Sequence, residues 1–173
     1  MSMGPRLRKL ALTSHIIVSL GWIGAVAAYL VLDVTTAISQ DPQTLRASYI
    51  AMGAIAWWAI VPFAYASLVT GLVMGLGTKW GLFRHWWVLM SLILTILAIV
   101  VLMAETRTID GLVVAASDPT ITDAELLAMP STLVHSVLGM VMLLVITVLN
   151  VYKPRGLTGY GWRKQQEAAK ISQ

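Results

Sequence analysis

Four apolar runs, approximately Leu10–Leu32, Ala51–Leu76, Trp86–Ala104 and Leu133–Tyr152, constrain this chain more than any other feature. Each matches the roughly 20 helical residues that cross a bilayer's hydrocarbon core. Lipid offers no hydrogen bonds to an open backbone, so runs of this kind must close their own bonds as helices. The expected fold is therefore all-α: an integral membrane bundle of four transmembrane helices, with residues 1–173 forming a single domain. Composition agrees, because 58% of the residues are apolar and only 12% are charged. Arg6, Arg8 and Lys9 precede the first run in the manner of a signal peptide. That run is longer than the roughly 7–15 apolar residues a signal peptide uses, which makes it a permanent helix.

The net charge of +4 does not indicate nucleic acid as a partner, since the basic residues lie in short blocks beside the apolar runs. One side of the expected bundle receives Arg6, Arg8, Lys9, Lys79, Arg84, Lys153, Arg155, Arg163, Lys164 and Lys170, and the other only Arg46 and Arg107. Basic residues mark the cytoplasmic side, so both termini are expected there, in a multi-pass protein of the cell membrane whose first partner is the lipid bilayer. Asp33, Asp41, Glu105, Asp110, Asp118, Asp123 and Glu125 fall on the outer side.

The connections follow from turn chemistry. The stretch SQDPQTLRAS forms the first outer loop, and Glu105 to Pro130 forms the longest connection. Within it, Thr122 followed by Glu125 has the spacing of a capping box and predicts a short surface helix over about 123–129. Residues 153–173 form a basic cytoplasmic tail. Pro62, inside the second run, is expected to kink its helix, because proline removes a donor and crowds the preceding turn. Gly21, Ala25 and Ala28, with Ser67, Gly71 and Gly75, have the spacing that lets membrane helices approach closely.

The absence of cysteine excludes disulfides, thiolate metal sites and a cysteine nucleophile. No nucleophile elbow, phosphate loop or His-Glu-x-x-His motif occurs, so no catalytic residue is assigned. Ionisable groups inside a span are the functional candidates that remain. His15, Ser19 and Trp22 share one face of the first helix at i, i+4 and i+7, placing an imidazole beside an aromatic wall. His85 opens the third helix, and with Asn150 it sits at a depth similar to that of His15. A cluster of His15, Ser19, His85 and Asn150 would suit a metal, with His85 either its second ligand or interfacial trim within RHWW. His135 enters the fourth helix from the outer side, roughly 18 Å in depth from His15, too far to share one iron. It lies instead near Asp33 and Glu105, a pairing that would suit a proton or metal.

The stretches HIIVSLGWIG and WGLFRHWWVLMSLILT, with the four-helix layout, resemble the small actinobacterial predicted integral membrane proteins of unknown function. The likeness covers three helices well and the fourth loosely. His15, Trp22 and Gly24 together are similar to the first helix of the flavin-free membrane protoporphyrinogen oxidase and of copper-resistance D-type membrane proteins. That resemblance implies heme at His15. In the oxidase family a later helix carries a functional lysine soon after an aromatic-rich start, where HWWVLMSLIL has Ser91, and this departure speaks against the oxidase reaction.

Two functions compete ahead of a third, transport of a metal ion or proton through the His15, Asn150 and Pro62 region, for which four helices are few. One is a b-type heme protein for electron transfer or heme handling, with His15 as axial ligand, His85 or an open position opposite, and Trp22 beside the macrocycle. The other is a non-enzymatic membrane subunit that assembles with a membrane partner or a second copy through its small-residue faces.

Overall fold

A computed structural model of the protein describes residues 3–78 and 80–171. Lys79, one of the basic residues used to orient the bundle, and Ser172 and Gln173 at the end of the tail lie outside the described residues. The chain is helical: α1 (Pro5–Ile38), α2 (Pro42–Ile55), α3 (Val61–Gly77), α4 (Trp86–Ser117), α5 (Asp123–Leu127), α6 (Leu133–Tyr152) and α7 (Gly159–Ile171). Four stretches, Pro5–Ile38, Pro42–Gly77, Trp86–Ser117 and Leu133–Tyr152, are long and apolar enough to cross a membrane.

Three of these run well past the apolar runs. At 34 residues α1 is about 51 Å long, against a hydrocarbon thickness of about 30 Å. The Glu105–Pro130 connection is correspondingly shorter than expected, because α4 continues to Ser117. Its polar stretch does not end the helix: Ile109, Leu112 and Ala116 recur at helical spacing and are buried, giving the extension a core face. Likewise α2 starts at Pro42, capped by the Asp41 carboxylate on the Thr44 amide at 3.0 Å, so the first loop is only Ser39–Asp41. Leu45, Tyr49, Met52 and Ala56 form its buried stripe.

Pro62 acts through the turn before it. Residues Ala56–Ile60 widen into one π-helical turn, with Val61 N donating to Ala56 O, five residues back. Such a turn accommodates the crowding a proline imposes and lets α2 and α3 continue as one bent span.

At one end of the bundle Met3 N donates to Gly77 O, Trp86 N to Gly156 O and Thr158 N to Arg84 O. These bonds gather the chain start, the α3–α4 loop and the start of the tail into a basic end. At the acidic end Arg46 donates to the carbonyls of Ala116, Asp118 and Ile121 at 3.1, 2.9 and 2.6 Å, clamping the α4–α5 connection. The capping box is present, with Thr122 N donating to Glu125 at 2.8 Å and Glu125 N to Thr122 at 3.3 Å, and α5 ends at Leu127. The tail is not featureless: α7 occupies most of it.

Candidate functional site

A cavity of about 570 Å³ lies among α1, α3, α4 and α6 toward the basic end. Its walls are mostly apolar, with His15 and Ser19 on α1, Ser67 and Gly71 on α3, Ser91 on α4 and Asn150 on α6. Three polar links fix them. His15 Nδ1 meets Thr70 Oγ1 at 2.9 Å, Ser19 meets Ser67 at 3.0 Å, and Asn150 Nδ2 donates to Ser91 Oγ at 3.2 Å. In lipid such bonds hold helices together where apolar contact supplies little drive. The small-residue pattern serves the same contact: a side chain at Gly71 would crowd the His15 ring, and one at Gly21 would strike the Phe63 ring.

The Thr70 link decides the chemistry of His15. Thr70 Oγ1 donates to Ala66 O at 2.7 Å, as threonines in membrane helices commonly do. With its hydrogen so engaged, the hydroxyl accepts from His15 Nδ1–H. The lone pair of the neutral ring then resides on Nε2, the arrangement that metal-binding histidines use.

Of the residues singled out in the sequence, the structure brings His15, Ser19 and Asn150 to one cavity. Trp22 is buried at 4% exposure in the apolar core and does not line it, although it shares a helix face with His15. His85 is elsewhere too. Its Nδ1 donates to Trp80 O at 2.6 Å, and it lines a separate pocket beyond Trp80 and Trp87, two indoles that border both spaces. Trp80 and Trp87 stand edge to face, with centroids 5.6 Å apart.

At the acidic end His135 meets Glu105 at 3.4 Å, as the sequence allowed, while Asp33 does not join them. Asp33 is a correction to the expected outer carboxylate face: it is 0% exposed on α1, with Ser136 Oγ donating to Oδ2 at 2.6 Å and Oδ1 without a partner. Tyr29, one turn before it, meets Thr132 at 3.3 Å, so two polar links join α1 to the start of α6. Among the described residues no three His, Asp or Glu side chains come together to hold a metal ion.

Sequence reasoning gave Thr70 little weight, as a hydroxyl that can bond back to its own helix, and missed the place of Lys153 and the Asp33–Ser136 bond. Thr70 carried the only available signal, a hydroxyl beside a small residue on a packing face. Lys153 lines both pockets from a left-handed backbone conformation, φ 46°, at the C-terminus of α6. Comparison with protein-family models, with curated proteins and with solved structures finds no match to this chain.

Proposed function

We propose that this is a multi-pass protein of the cell membrane, its basic end and both termini cytoplasmic, that holds a b-type heme in the cavity through His15. The observation that carries the reading is an imidazole of fixed tautomer on the wall of a cofactor-sized, largely apolar cavity. Cofactor sites commonly occupy about 300–1,000 Å³ and place a few polar groups on apolar walls. The resemblance of the first helix to the flavin-free membrane protoporphyrinogen oxidase family, whose first-helix histidine is associated with heme, supports the same residue.

The donor set fits heme on one side. His15 Nε2 is the ligand, Thr70 orients the ring, and Lys153 brings positive charge to the cavity's lining for the carboxylates of a porphyrin. Of the other side chains lining it, Met74 would offer a thioether to iron, while Ser91, Thr147 and Asn150 offer no strong ligand. His85 is not needed. When bound, heme would supply one-electron chemistry.

The test is the visible spectrum of the full chain in mild detergent, oxidised and dithionite-reduced, beside His15→Ala and His85→Ala. A Soret band is expected in the wild type and in His85→Ala, and lost in His15→Ala. A wild type that remains colourless after heme is supplied overturns the reading and leaves the partner-subunit alternative to be tested by co-purification.

A further inference from the structure

The basic end carries a second pocket, of about 660 Å³, lined by Arg84, His85, Lys153, Arg155 and Gln165 and bordered by the indoles of Trp80 and Trp87. No carboxylate lines it among the described residues. Among the described residues Arg84, Lys153 and Arg155 make no ion pair, and Arg84 Nε is a buried donor with no acceptor. Burying a guanidinium N–H without a partner is costly, and three like charges around one space repel. Both penalties are relieved by an anion.

The pocket is built by folding the tail back. An antiparallel bridge pairs His85 with Leu157, and Thr158 binds the α3–α4 loop twice, through its hydroxyl to Phe83 O and its amide to Arg84 O. Gly161 is required there, since any Cβ would strike the Arg84 carbonyl. The result sets Arg155 and Gln165 of the tail against Arg84 of the loop. Lys153, held left-handed, places its ammonium 5.7 Å from the centre of the Trp80 ring and 6.0 Å from that of Trp87. A lysine in that backbone conformation is strained, and such strain concentrates at functional positions.

We infer that this pocket binds a phosphate group, through Arg84, Arg155 and Lys153. Arginine forks match tetrahedral oxyanions, and Gln165 adds an amide donor. The phosphate belongs either to an anionic lipid headgroup or to a soluble phosphate, for the site lies at an end of the spans. The site shares Lys153 with the proposed heme cavity, whereas Arg84 and Arg155 line this pocket alone.

The probes are inorganic phosphate and phosphatidic acid. The full chain is placed in nanodiscs of phosphatidylcholine, or of phosphatidylcholine with phosphatidic acid, and tryptophan fluorescence is followed at constant ionic strength, since two indoles border the pocket. A saturable change on adding phosphate to phosphatidylcholine discs identifies a soluble anion. A change confined to discs with phosphatidic acid identifies a lipid headgroup. In Arg84→Gln with Arg155→Gln either response weakens about tenfold or more, as loss of charge-assisted bonds requires. Arg155→Gln alone, on an exposed turn, gives a smaller weakening if the double variant does not fold. Absence of a saturable response in both discs, or an unchanged response in a folded variant, overturns the inference.

Discussion

At the acidic end Leu45, Met52 and Leu126 are almost completely buried, and Arg46 and the Thr122 capping box fix the connections. Toward the basic end the same bundle encloses about 570 Å³ and its walls meet through hydroxyl, imidazole and amide groups. The difference lies in the cover: α2 and α3 are two halves of one span, and at the acidic end α5 packs on α2, while the helical walls of the cavity are α1, α3, α4 and α6. Side chains that face a void lose dispersion contacts on one side, so an open half is retained where something else supplies those contacts. Close packing and buried polar bonds together hold the acidic end, whereas polar links join the helices around an open space toward the basic end.

The sharpest way to break this comparison is truncation at matched residues. Leu126→Ala removes a side chain at 0% exposure and is expected to cost about 2–5 kcal/mol, read from thermal unfolding in detergent. Leu92→Ala, on the cavity wall, is expected to cost less than about 1 kcal/mol, because the space beside it already exists. Equal losses would show that the two halves are packed alike.

Next in size is a pair of serines. Ser136→Ala deprives the buried Asp33 of its donor and is expected to cost about 1–3 kcal/mol, whereas Ser19→Ala, on the cavity lining, costs less. Thermal melts of both variants measure the difference, and a larger loss for Ser19→Ala would reverse the assignment of which end depends on buried polar satisfaction. Thr122→Ala then removes a cap from α5 for about 1 kcal/mol, visible as faster hydrogen exchange in α5 and unchanged exchange in α6.

How much of this the sequence disclosed depends on what each signal measures. Apolar length is a local property, so four helices long and apolar enough to span a membrane, the Thr122–Glu125 cap and the Leu133–Tyr152 helix were legible. The extension of α4 was obscured because Glu105, Arg107 and Asp110 resemble the end of a span, although Ile109, Leu112 and Ala116 continue its buried face. Burial of Asp33 was invisible, since it depends on Ser136 of another helix. His15, Ser19 and Asn150 were legible as a cluster from depth and face. His85 has a similar depth but, through its bond to Trp80 O, belongs to the neighbouring pocket, and depth alone cannot register that.

The smallest expected effect is acid sensitivity confined to one end. Hydrogen bonds to the Thr44 and Thr120 side chains hold the Asp41 and Asp118 carboxyls below the usual carboxylate range, and the Thr122 backbone amide does so for Glu125. Because these folded values are lowered, the stabilisation is complete above the usual range and is lost as pH falls through the lowered values, below about pH 4. Hydrogen exchange across 118–127 should therefore rise in acid before that of α6. A uniform rise along the chain would contradict the assignment.

The central claim is that His15 binds iron in the open half, and imidazole rescue tests it most directly. His15→Gly, supplied with heme, is expected to lack the wild-type Soret band and to regain it when free imidazole fills the vacated position. A band that persists unchanged in His15→Gly without imidazole, or that is absent from the wild type, would contradict it.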